Sequence, residues 1–171
     1  MPLNAFSKRR NNMLDFQQIV EIVKKNTNET RADEKSLPKA IIIPSSDIKK
    51  VCQELYQNPS TYFDMLSCLT GIDNGAEANS MEVVYNLYSI PFNHHVMLKV
   101  TLPRGNPAID SVAEIWRTAN WHEREAFDMY GIKFNGHPDL RRILLPADWE
   151  GFPLRKDYQH QEYYRDVKVK Y

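Results

Sequence analysis

A chain of 171 residues with 42% apolar and 26% charged side chains has ordinary globular composition and enough length to bury a sizeable core. Its 22 basic and 22 acidic residues cancel, which excludes a wholesale attraction to nucleic acid or to an anionic membrane. The spacing of the two cysteines, Cys52 and Cys68, fits neither a zinc knuckle nor an iron–sulfur run, so a reducing compartment is the better reading. No apolar run approaches the ~20 residues of a membrane span, and the basic start MPLNAFSKRRNN lacks the apolar stretch of a secretory signal.

In chain order, residues 1–14 read as a loose polar arm. FQQIVEIVKK (16–25) places Phe16, Ile19, Val20 and Val23 on one helical face, with Asp15 as N-cap and lysines at the C-terminal end. After a polar stretch with room for a short strand, AIIIP (40–44) predicts a buried strand stopped by Pro44. DIKKVCQELYQ then forms a helix from Ser45 or Ser46, turning Ile48, Val51, Cys52 and Leu55 inward and ending at Asn58-Pro59. TYFDMLSCLTGIDNG (61–75) fits neither period; a helical turn leading into a short strand at Leu69–Asp73 is expected. MEVVYNLYSI (81–90) and HHVMLKVTL (94–102) predict an antiparallel hairpin. Beyond it, DSVAEIW is expected to begin a helix capped by Asp110 or Ser111. Helices mixed with a hairpin give an α+β fold, helices packed on a single sheet.

The densest chemistry is NWHEREAFDMYGI (120–132). A zincin helix needs His at i and i+4, but the position four after His122 is Ala126, so one imidazole stands alone. Helix grammar explains the same letters: Asn120 caps, Glu123 returns the capping-box bond, Arg124 pairs with Asp128, Gly131 takes the left-handed C′ position, and Ile132 packs back on Phe127. His122, Glu125 and much of Arg124 are left without a task, and surface solvation is their plain reading. Residues 133–158 carry no period but hold His137, Arg141, Arg142, Arg155, Lys156 and Asp157 among prolines and glycines. So long an irregular stretch must lay its backbone against protein, and arginine with Trp149, Phe152 and Tyr158 is interface composition. The tyrosine-rich tail that follows suits draping over a partner or over its own domain.

The run EREAFDMYGIKFNGHPDLRRIL, followed by DWEGFPLRKDY, strongly resembles the 30 kDa (C-type) subunit family of proton-translocating NADH–quinone oxidoreductase, respiratory complex I. The likeness extends over most of the chain from about residue 16. It implies a two-layer α/β domain with a mixed sheet (15–132) followed by an extended C-terminal wrapping segment and tail (133–171). It implies a non-catalytic member of the peripheral arm, with FMN and Fe–S clusters in partner subunits and no flavin, cluster, quinone or metal on this chain. The implied partners are chiefly the D-type subunit, which carries the quinone site, with the B- and I-type subunits nearby. The implied location is the cytoplasmic side of the bacterial inner membrane, reached only through the complex. Glu123, Arg124, Glu125, Asp128, His137, Arg141, Arg142, Arg155, Lys156 and Asp157 match the family signature and are its interface or structural residues. Phe152 stands where the family commonly has His, and Tyr130 where Phe is more usual. Two alternatives remain on sequence: the equivalent subunit of a membrane-bound hydrogenase or F420-type dehydrogenase, and a stand-alone metal-dependent hydrolase built on His122, Glu125 and His137.

Overall fold

The computed structural model describes residues 14–27 and 29–169; the expected arm, Leu14 apart, lies outside them. Leu14 packs on the core. Helix α1, Phe16–Lys24, opens with a reciprocal capping box: Asp15 accepts from the Gln18 amide at 2.8 Å, and the Gln18 side chain accepts from the Asp15 amide at 2.9 Å. Ile19, Val20 and Val23 form its buried face. Strands β1, Arg31–Asp33, and β2, Ala40–Ile42, lead to a single 3-10 turn at Ser45–Asp47 and helix α2, Ile48–Gln57. The four inward residues of α2 are the expected ones, although no side chain caps its start.

Strand β3, Met65–Asp73, replaces the expected helical turn and short strand. Its register slips between Leu66 and Cys68, leaving Ser67 without an opposite residue. That extra residue breaks the in–out alternation, which is why the segment matched neither period. Strands β4, Ser80–Ser89, and β5, His94–Pro103, form the expected hairpin, with Val83 opposite Val100 and Tyr85 opposite Leu98. The expected helix at DSVAEIW is absent. Instead β6, Ala108–Asp110, pairs in parallel with β7, Lys133–Asn135, and turns carry the chain to helix α3, Ala119–Tyr130.

The main sheet is mixed, in the order β1-β2-β5-β4-β3, with β2 and β5 parallel and every other pair antiparallel. One face carries the core, where Leu66, Tyr85, Leu98 and Val100 meet α1, α2 and the inner side of α3. The opposite face buries only a small cluster of Ala40, Val84 and Met97. This is the expected two-layer α+β arrangement. Gly71 lets α3 close on β3, because a Cβ there would lie 2.8 Å from the Tyr130 ring and 2.9 Å from the Ile132 side chain.

Candidate functional site

Helix α3 is the axis of the site, and residues 136–158 form a strap along it. The strap is held at four stations, each built on a buried or half-buried charge. The first is Glu123, fully buried. Its carboxylate accepts from Ser111 Oγ at 2.6 Å and from the Val112 amide at 2.7 Å, and the Nε2 of the equally buried His137 ring lies 3.9 Å away. The expected capping box is therefore not made. Glu123 turns from the helix start to hold the 111–112 turn by the two bonds it accepts there. Burial pushes its pKa up to about 7, against the pull of Ser111 and Val112. Because His137 Nδ1 accepts from the Asp139 amide at 3.0 Å, Nε2 carries the proton and donates to the Asn120 carbonyl at 3.1 Å. Both ring nitrogens are thus engaged, which leaves none for a metal.

The second station is Arg124, 8% exposed, whose Nε donates to the Arg141 carbonyl at 3.3 Å and whose guanidinium lies 5.1 Å from the Trp121 ring centroid. It does not pair with Asp128. Asp128 belongs to the third station, where one carboxylate oxygen accepts from the successive amides of Ile143, Leu144 and Leu145 at 2.7–3.0 Å. The other oxygen accepts from Arg142 Nη1 at 2.7 Å. Arg142 also donates to the carbonyls of Asp128, Trp149 and Gly151, so one guanidinium sews three parts of the chain together. Burial alone would raise the Asp128 pKa; these donors outweigh it and hold the carboxyl below its ordinary value.

The fourth station closes the far end. Gly131 adopts the expected left-handed cap, φ +74°, and a Cβ there would stand 2.6 Å from the Phe152 ring. Phe152 lies between two cations, Arg142 at 5.3 Å and Arg155 at 4.8 Å from its centroid. Arg155 Nε donates to the Tyr130 carbonyl at 2.6 Å. Beyond it, the Lys156 amide donates to Asp73 at 2.8 Å, and Arg104 forks onto both Asp73 oxygens at 2.8 and 2.9 Å while reaching Asp157 at 2.7 Å. The Arg104 fork holds Asp73 far below the usual carboxylate range. Past the strap, Arg165 and Tyr164 of the small β8–β9 hairpin, Tyr163–Tyr164 and Val167–Lys168, both bind Asp148.

The structure thus gathers most of the sequence-singled residues around α3. Four sit apart: Glu125 is exposed, the Arg141 side chain points to solvent, paired with Asp139 at 2.9 Å, and the exposed Lys156 and Asp157 bind Asp73, Asn74 and Arg104 instead of α3. Sequence reasoning missed Asp73, Arg104 and Ser111, which lie in unremarkable local contexts and acquire partners only across the fold. Phe152 had drawn notice as a departure from pattern, without a hint of its sandwich. Among the described residues, no three His, Cys, Asp or Glu side chains come together as a metal would require, and no helix is long and apolar enough to cross a membrane.

A small mixed sheet backed by helices, with a C-terminal strap fastened to one of them by buried charges, defines a strap-bound class of α+β domain. Residues 41–164 match the family model described as respiratory-chain NADH dehydrogenase, 30 kDa subunit, and the chain belongs to that family. It is 53% identical over 115 residues to the C-type subunit of NADH-quinone oxidoreductase from Chlorobium phaeobacteroides, covering 67% of this chain and 69% of that one. It is 54% identical over 110 residues to the same subunit from Chloroherpeton thalassium, covering 64% of this chain but only 45% of the longer relative. Among solved structures, the trypsin-resistant fragment of Nqo5 aligns with a TM-score of 0.60 and 25% identity, over 72% of this chain and 98% of the fragment. A chain of the membrane-bound sulfane sulfur reductase, an archaeal respiratory membrane complex, aligns with a TM-score of 0.67 and 20% identity, over 84% and 85% of the two chains. That second likeness is one of fold.

Proposed function

We propose that this chain is a structural subunit of the peripheral arm of proton-translocating NADH–quinone oxidoreductase. It supports electron transfer from NADH to quinone, through FMN and Fe–S clusters held by other subunits, and takes no electron itself. It docks chiefly on the D-type subunit at the quinone site, near the B- and I-type subunits, on the cytoplasmic side of the bacterial inner membrane. The observation that carries this reading is where the signature's charge goes. Asp128, Arg142 and Arg155 use their bonding to fix the strap to α3, and Glu123 uses its own to fix the 111–112 turn beside it, rather than to line a cavity. A rigidly held, irregular, arginine-rich surface suits protein docking.

The test is purification of the native complex through a tag on this chain under mild detergent, with identification of the companions. Subunits carrying flavin, NADH-binding and quinone-site sequences are expected in stoichiometric amounts. Hydrogenase or F420-dehydrogenase subunits in their place would reassign the electron donor, a distinction the shared fold of the sulfane sulfur reductase chain leaves to experiment. Turnover by the isolated chain would overturn the structural role.

A further inference from the structure

Arg124 is the unusual cation of the site. A guanidinium has five N–H donors in a fixed fork, and those left unpaired at a surface are open to an outside acceptor. Arg142, by contrast, finds four acceptors including a carboxylate. Arg124 is only 8% exposed, yet among the described residues it makes one hydrogen bond, through Nε to a neutral carbonyl, and no ion pair. Its terminal Nη1 and Nη2 groups, the fork that best matches a carboxylate, have no hydrogen-bond partner among those residues and keep access to solvent.

Two large apolar side chains lie in the open on this part of α3 and the strap. Trp121 is 61% exposed and stacks on the Arg124 guanidinium. Leu144 is also 61% exposed, and its amide is anchored on Asp128, one helical turn beyond Arg124. A tryptophan and an arginine side by side on a surface are the residues most enriched where binding energy concentrates.

We propose that Trp121, Arg124 and Leu144 form a docking spot for a protein partner that presents a carboxylate to the Arg124 fork and an apolar side chain to Trp121 and Leu144. This rests on the subunit reading above and locates, within the strap-bound surface, where the partner's grip is concentrated. Charge decides the occupant. The fork of Arg124 is the uncompensated group at the centre of the patch, Arg141 is already paired with Asp139, and the exposed Glu125 next to it discourages an anionic lipid surface. A single acidic side chain on a protein meets the fork with one localised charge, where an anionic lipid surface would bring many charges up to Glu125 as well.

The test uses the full chain in its native assembly. A photo-crosslinking residue replaces Trp121 or Leu144, with Leu37, 94% exposed on the β1–β2 link, as the reference position. Trp121→Ser, Leu144→Ser, Arg124→Gln and Arg124→Lys are compared for recovery in the complex and for melting of the purified chain. Expected are crosslinks from positions 121 and 144 to one and the same polypeptide, within a peptide containing Asp or Glu. Trp121→Ser and Arg124→Gln are expected to weaken association at least about tenfold, with Lys restoring only part of it. Trp121→Ser, lying on the surface, is expected to melt with the wild type, which separates docking from folding. If position 121 crosslinks only to lipid, to a second copy of this chain, or to nothing while the chain remains in the assembly, the docking spot is refuted and the subunit reading stands. A chain recovered without any partner refutes both.

Discussion

Glu123 and Asp73 are both buried carboxylates, yet their surroundings push them in opposite directions. Glu123 faces a serine hydroxyl, one amide and a neutral imidazole, too little to offset desolvation, so it holds its proton to about pH 7. Asp73 faces a forked arginine and two amides and stays ionised well below its ordinary value. The consequences for stability have opposite signs. For Glu123, the contribution is full below the unfolded value near 4.5 and declines as pH rises to about 7, by up to about 3 kcal/mol at 1.4 kcal/mol per unit. For Asp73, the contribution is present above about pH 3.8 and is lost as pH falls through the folded value. Denaturant titrations of Glu123→Gln between pH 4.5 and 7.5 are expected to show a flatter stability profile than the wild type. An identical slope in the two proteins would mean that Glu123 is ionised throughout that range.

At the scale of elements, the junction of α3 with the strap depends on a missing side chain. Gly131 needs its positive φ and also gives up its space to the Phe152 ring. Gly131→Ala is therefore expected to cost more than the ~1 kcal/mol of a strained cap, because Phe152 must leave its place between Arg142 and Arg155. Limited trypsinolysis reads this directly: cleavage after Arg155 and Lys156 should quicken several-fold in the variant, while sites in α1 and α2 stay as slow as in the wild type. The same elements mark how far the sequence could be read. The helices α1 and α2, the hairpin and the glycine cap follow from local periodicity and capping, and all were legible. The β3 bulge was not, since one inserted residue erases a period of two. Nor was the absence of the helix at DSVAEIW, where Ala108–Asp110 pairs with Lys133–Asn135 and the 111–112 turn rests on Glu123, partners that come from far along the chain. The charged signature was legible as a set, but its pairing was not. Arg124–Asp128 is the natural i,i+4 pair on paper, and the strap outcompetes it with three amides and Arg142.

Across the whole molecule, the strap is fastened by Asp128 at its middle and by Asp73 near its end, so it has anchors of its own and can open without the sheet. Asp128→Ala would leave Arg142 without its carboxylate and three amides without an acceptor, a loss of about 3–5 kcal/mol. Hydrogen exchange is the sensitive measurement: protection is expected to vanish at Ile143–Leu145 and to persist in β4 and β5. If protection in the two regions fell equally, the strap would have no separate anchoring. Whether such a loosened chain still enters the larger assembly tests the proposed docking role independently of its fold.

Translation proceeds from the N-terminus, and the fastening described here is written late. Asp73 and Asp128 emerge well before Arg142 and Lys156, the groups that will neutralise or cradle them. A chain cut short between those points has a finished sheet and an Asp73 already forked by Arg104, but an Asp128 still bare. The rim around Arg124 would then lack Leu144 and the Arg141 carbonyl. Incomplete chains would thus lack the surface by which a neighbour could mistake them for finished ones.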